Sequence, residues 1–153
     1  MSKEFDSYIT EMPELMKRLM VSPLRRWNDT RNLPIRGVYV FFENEKPIYV
    51  GRTNRMKDRI KEHALPSSKN NKAPFAFNLA KKEAEEKGIE VNFKRAELES
   101  NEIFNDLFLH AKKRVSNMYL RVIEINDQIL QTLFEVYASM ELKTMEYNCF
   151  NNH

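Results

Sequence analysis

Apolar positions along this chain change their period several times, and each change marks an element. Residues 3–20 carry Phe5, Tyr8, Ile9, Met12, Leu15, Met16, Leu19 and Met20, the spacing of a helix with one apolar face. Pro13 takes a donor out of that run, so a kink or a split is expected there. The face suits packing on the chain's own sheet, and a second copy or a partner protein is the alternative occupant. Ser22-Pro23 ends the helix, and residues 24–35 read as a basic, irregular linker with Arg25, Arg26 and Arg31. Trp27 in that linker reads as a core anchor, with a surface for stacking on a base as the alternative. From Gly37 the period falls to two. Val38, Val40 and Phe42 alternate with Tyr39 and Phe41, and Ile48 and Val50 alternate with Tyr49. The polar residues Glu43, Asn44, Glu45 and Lys46 lie between, so a hairpin is expected. Register is open at this level. An odd number of turn residues places Tyr39 and Tyr49 on one face, and two turn residues place them on opposite faces. A site shared by both phenols requires the odd case.

Thr53 or Asn54 can cap the next helix, with Met56 and Ile60 as its apolar seam. Arg55, Arg59, Glu62 and His63 line an adjacent side, and Arg59 and His63, four apart, share a face. Residues 65–73 are a polar loop. Phe75, Phe77, Leu79, Ala80 and Ala84 begin a helix that runs through mixed charges to a stop at Gly88. Residues 89–96 alternate weakly, as a strand or an extended link would. A further helix starts at Ser100 or Asn101, with Ile103, Phe104, Leu107, Phe108, Ala111 and Val115 inward and His110, Lys112, Lys113 and Arg114 on its other faces. Residues 117–125 read as a third strand. Asp127 then caps a helix from Gln128 to about Lys143, with Ile129, Leu133, Val136, Tyr137 and Met140 as its buried stripe, widened by Leu130 and Phe134. Glu135 falls outside that stripe, near Gln128, Thr132 and Ser139.

These elements give an α+β fold: a small central three-stranded antiparallel sheet flanked by helices. The expected organisation is an N-terminal helical extension over residues 1–35, then a domain over 36–153 with a helical insertion around 65–116. A chain of 153 residues suits one substantial core. Composition narrows the class only a little, since 42% hydrophobic and 31% charged residues are ordinary for a globular protein. The net charge of +3 is too small to establish a nucleic-acid partner, so the placement of charge must carry that argument. No apolar run approaches a membrane span, and the N-terminus lacks a signal pattern. Cys149 is the one cysteine, which excludes an internal disulfide and makes a thiol nucleophile a remote reading. A cytoplasmic protein is the default expectation.

Phosphate-cradling glycine loops, dinucleotide fingerprints, paired-cysteine zinc sites and HExxH helices are all missing. What stands on rigid elements is Tyr39, Tyr49, Arg59, His63 and Glu135. Hydrolysis of a phosphodiester needs a base for water, stabilisation of the extra charge on phosphorus, and commonly a hard cation held by a carboxylate. Glu135 can hold Mg²⁺ or another divalent cation such as Mn²⁺, and Arg59 can hold the phosphate. A phenol, or else His63, can be the base.

The same residues resemble a known family. Gly37-Val38-Tyr39 and Tyr49-Val50-Gly51 are similar to the paired boxes that name the GIY-YIG nucleases, with valine for isoleucine in both. Arg59, ten residues after Tyr49, and Glu135, on a helix after the third strand, fall where that family has its arginine and its metal-binding glutamate. Asn148 resembles the asparagine that closes the motif set, and His63 resembles the branch that includes some type II restriction enzymes. The resemblance implies Tyr39 as general base, Tyr49 and His63 as residues that position water and phosphate, and Glu135 as metal ligand. The expected function is therefore Mg²⁺-dependent endonucleolytic cleavage of DNA, with Arg52, Arg55, Lys57, Lys61, Lys69 and Lys72 tracking the backbone through charge. The base is open between Tyr39, Tyr49 and His63. A non-catalytic nucleic-acid-binding module that keeps the fold is the alternative, and a partner-regulating protein acting through the N-terminal helix is a third.

Overall fold

The computed structural model describes residues 1–148 and Phe150; Cys149 and His153 lie outside the described residues. The element order is α1 (Lys3–Val21), β1 (Gly37–Glu43), β2 (Lys46–Thr53), α2 (Met56–Ala64), α3 (Pro74–Glu86), α4 (Arg95–Ser100), α5 (Glu102–Ser116), β3 (Tyr119–Glu124) and α6 (Gln128–Glu141). The three strands form one antiparallel sheet in the order β2-β1-β3, which is the expected α+β class. The chain divides into two compact units. One comprises Met1–Lys57 and the segment from Tyr119 onward, and the other is Asp58–Met118.

The first unit holds the sheet. Val38, Val40, Phe42, Val50 and Ile123 join Met12, Leu15 and Leu19 of α1 and Phe134 and Ala138 of α6 in its hydrophobic core. The N-terminal helix therefore packs on its own sheet. It also runs unbroken through Pro13, contrary to the expected kink or split. Burial of Met12, Leu15 and Leu19 on one side outweighs the single hydrogen bond the proline removes. Ser2 caps its start, accepting from Phe5 N at 3.0 Å. Past α1, Arg25 exchanges main-chain hydrogen bonds of 2.9 and 2.7 Å with Leu120, lying along the outer edge of β3. Trp27 is half-buried rather than a core anchor.

The hairpin departs from the simple expectation. Its turn has two residues, not an odd number: Glu43 pairs with Lys46, and Asn44 and Glu45 both take positive φ, 51° and 67°. That turn alone would set Tyr49 opposite Val40 and away from Tyr39. A β-bulge corrects it. Phe42 pairs with Pro47 but Phe41 pairs with Tyr49, so Ile48 is the extra residue. Beyond the bulge Tyr39 pairs with Gly51. Cross-strand partners share a face, so Tyr39, Phe41, Tyr49 and Gly51 lie together on the side of the sheet opposite Val38, Val40 and Val50.

Helix α6 is rotated from its expected setting. Gln131, Phe134, Ala138 and Ser139 are buried, while Ile129 and Met140 are 56% and 63% exposed. Apolar residues stand on most sides of this helix, so periodicity could not select the inner one. Polar anchoring does. Asp127 Oδ1 caps Ile129 N and Leu130 N at 2.9 and 3.0 Å, and Gln131 Nε2 donates to Ile125 O at 3.1 Å.

In the second unit, α3 and α5 pack through Phe77, Phe104 and Phe108, whose rings lie 5.2 and 5.6 Å apart. Asn101 caps α5, accepting from Phe104 N at 3.0 Å. Residues 89–94 form no strand, and the short α4 follows them. Lys112, expected on an outer face of α5, is 3% exposed. His110 is at the surface. On α2 the buried side carries Met56, Ile60, His63 and Ala64, so His63 belongs to the apolar seam and not to the side beside it.

Candidate active site

The two tyrosines begin the site in the first unit. Tyr39 is 1% exposed and packs edge-on against Phe41, with ring centroids 5.9 Å apart at 88°. Its ring crosses Gly51: a Cβ at Gly51 would stand 2.2 Å from Cζ and 2.3 Å from Oη. The glycine of the second box is thus the seat of the first box's phenol. Gly37 has the same necessity for a different reason, because a Cβ there would stand 1.9 Å from Ile123 O. Tyr49 is half-buried.

The free edge of β2 carries the next residues. Asn148 Oδ1 accepts from Val50 N at 3.1 Å and from Thr144 Oγ1 at 2.8 Å, and its Nδ2 donates to Val50 O. The asparagine thus docks on the strand as a further strand would. Thr144, which sequence reasoning did not single out, orients it. One step along the same edge stands Glu135. Its carboxylate oxygen lies 3.8 Å from Arg52 Nε, and its side chain is 20% exposed. Burial raises the Glu135 carboxyl above the ordinary glutamate range, opposed by the Arg52 charge and by a hydrogen bond from the Arg52 main chain.

Arg52 is held in turn by a buried amide. Its Nη1 donates to Gln131 Oε1 at 3.3 Å, and Gln131 is fully buried. Asn54 pairs with Gln128 through hydrogen bonds of 2.9 and 2.8 Å. Gln131, Glu135 and Ser139, at spacings of four, make a polar row along α6. Sequence reasoning missed Gln131 because an apolar assignment of that side left no role for it. A glutamine four residues before the candidate carboxylate was the available signal.

Arg59 and His63 stand in the second unit. Arg59 Nη1 donates to Glu62 Oε2 and to Lys72 O, each at 3.0 Å. His63 is fully buried, and burial with the nearby Arg59 charge holds its imidazole well below the usual histidine range, hence neutral at pH 7. Of the expected DNA-tracking cations, Arg52, Arg55 and Lys57 are exposed in the first unit, and Lys61, Lys69 and Lys72 in the second. Lys72 Nζ also lies 4.0 Å from Glu62.

Among the described residues no three His, Cys, Asp or Glu side chains gather as a metal cluster. Glu135 alone matches a different donor set, one carboxylate completed by water and substrate oxygens, which is the usual habit of Mg²⁺. A cleft of about 930 Å³ elsewhere in the first unit is lined by Arg18, Arg25, Arg31 and the end of β3, and none of the motif residues lines it.

The three-stranded antiparallel sheet thus carries two phenols on one face and a carboxylate at its edge. Residues 35–102 match the family model described as the GIY-YIG catalytic domain, so this segment is similar to the GIY-YIG nucleases. The match takes in both tyrosine boxes and α2 and stops before α6, so Glu135 and Asn148 stand on their own geometry. No curated protein and no solved structure matches the chain. Similarity to that family model supports a nuclease-type protein acting on nucleic acid. No helix among the described residues is long and apolar enough to cross a membrane.

Proposed function

We propose that the protein is a divalent-metal-dependent endonuclease that hydrolyses DNA phosphodiester bonds. The observation that supports this most is the edge of β2: Glu135, drawn to the Arg52 main chain, stands beside the strand on which Gly51 seats the Tyr39 phenol. Glu135 would hold Mg²⁺ or Mn²⁺, and such a cation when bound supplies charge neutralisation at the scissile phosphate. The remaining work falls to the chain's own groups. Tyr39, fixed by Phe41 and Gly51, is the proposed general base. Tyr49 positions water and phosphate, and His63, buried and neutral beside Arg59, acts only through that neighbour. Arg59 holds the phosphate through charge-assisted hydrogen bonds. Asn148 keeps the β2 edge in place rather than meeting substrate, since its amide is engaged by Val50 and Thr144. Arg52, Arg55, Lys57, Lys61, Lys69 and Lys72 neutralise backbone phosphates.

Supercoiled plasmid nicking with and without Mg²⁺ tests this reading. The expected outcome is cleavage by wild type, abolished by EDTA and reduced about 10²- to 10³-fold or more in Glu135→Ala and Arg59→Ala, the size of a lost charge-stabilising group. Salt-sensitive DNA binding without cleavage would instead identify a binding module.

A further inference from the structure

The 65–73 loop of the second unit is fixed by charged side chains from three helices. Lys112 of α5 is 3% exposed, and its Nζ is held by main-chain carbonyls. It donates to Pro66 O at 2.6 Å and Ser68 O at 2.8 Å, and lies 4.1 Å from the Phe108 ring centre. Glu99 of α4 accepts from Asn70 through both the main-chain N, at 3.4 Å, and Nδ2. Arg59 of α2 donates to Lys72 O at 3.0 Å. Four successive main-chain or amide anchors therefore come from three groups that are costly to withdraw from water. An apolar contact would hold a merely structural loop at less cost.

What the anchors leave outside is as ordered as what they hold. Ser68 and Asn70 turn inward, while Ser67, Lys69, Asn71 and Lys72 are exposed. The clamps grip backbone atoms and the inward Asn70 amide, and leave the side chains of Ser67, Lys69 and Asn71 facing outward. An amide, a hydroxyl and two ammonium groups are donors and acceptors of the kind that read base edges and phosphates.

We propose that the 65–73 loop is a pre-organised base-reading element for duplex DNA, with Asn71 and Ser67 facing the base edges, Lys69 on the adjoining phosphate, and Lys112 and Glu99 as its positioning residues. This rests on the DNA-nuclease reading above. Holding the backbone before binding removes the ordering cost that a flexible loop would add on association.

The test is cleavage of a random-sequence DNA duplex pool with Mg²⁺, with sequencing of the cut ends. Wild type is expected to enrich a motif. Asn71→Ala should relax one position of it about ten- to a hundredfold, the worth of one bidentate base contact. Glu99→Ala and Lys112→Met should flatten the preference across the motif, and Glu99→Gln, which keeps an acceptor for Asn70, should restore it. Circular dichroism of each variant monitors folding, and the exposed Asn71 keeps the test open if Lys112→Met does not fold. Wild-type preference in Asn71→Ala and Glu99→Ala, or wild type that cuts without preference, overturns the proposal and leaves the nuclease reading intact. Wild type that neither binds nor cuts the pool overturns both.

Discussion

Gly51 shows how much one missing side chain decides. The phenol of Tyr39 occupies the place where a Cβ would stand, at 2.2–2.3 Å. Gly51→Ala must therefore move the ring or the strand, at a cost of about 1–3 kcal/mol as for other overpacked cores. Urea melts should show that loss, and nicking activity should fall further than stability alone explains. The sequence displayed this glycine beside a tyrosine but could not display the ring lying across it, because contact between strands depends on register. Glu135 makes the opposite kind of statement. Its carboxyl is pushed up by burial, so the folded chain binds its proton more readily than the unfolded chain does. Stability from this group is greatest at acid pH and is lost as pH rises through the raised value. Glu135→Gln is therefore expected to melt above wild type at pH 7, with the difference closing as pH falls toward the ordinary glutamate value, while cleavage is lost. Thermal melts across that range check the sign. A lower melting temperature for the glutamine variant at pH 7 would show that the Arg52 contact outweighs desolvation.

At the scale of elements, the long periodic segments were legible and the devices that aim them were not. The spacing of α1, α5 and the three strands announced them. The bulge at Ile48 did not show, since one extra residue leaves the alternation of Pro47, Ile48 and Tyr49 looking regular. It nevertheless decides which face Tyr49 joins. Deleting Ile48 should leave Phe41 opposite Tyr49 in a regular hairpin on the same two-residue turn. That chain is expected to fold and to nick DNA within about tenfold of wild type, because a tenfold loss of activity corresponds to only about 1.4 kcal/mol. Loss of cleavage in a folded deletion would show that the extra strand twist, and not the facing of Tyr49, is what the bulge supplies. Rotation of α6 and burial of His63 and Lys112 share a cause. Polar groups there find specific partners or shelter, and hydropathy alone assigns such residues to the outside.

Over the whole molecule, a net charge of +3 hides the distribution that matters. Arg52, Arg55, Lys57, Lys61, Lys69 and Lys72 are all exposed. If each meets one phosphate, log affinity for duplex DNA should fall with log salt at a slope of about −5, and Lys57→Ala should lessen it by about 1. Fluorescence anisotropy over a salt series measures both, and a slope near zero would remove the phosphate role. Fold class was readable at this scale because three strands between amphipathic helices have few arrangements. Closure of the site was not, because it depends on Asn148 reaching back to Val50 across most of the chain. That closure has a second consequence. A three-stranded sheet has two open edges, and each is a template for another chain. Here Arg25 occupies part of the β3 edge, and Asn148 with Glu135 occupies the β2 edge. The residues that complete the site are also the stoppers that keep one copy of this sheet from growing onto the next, so a chain truncated before Asn148 would lose its guard against aggregation together with its closing contact.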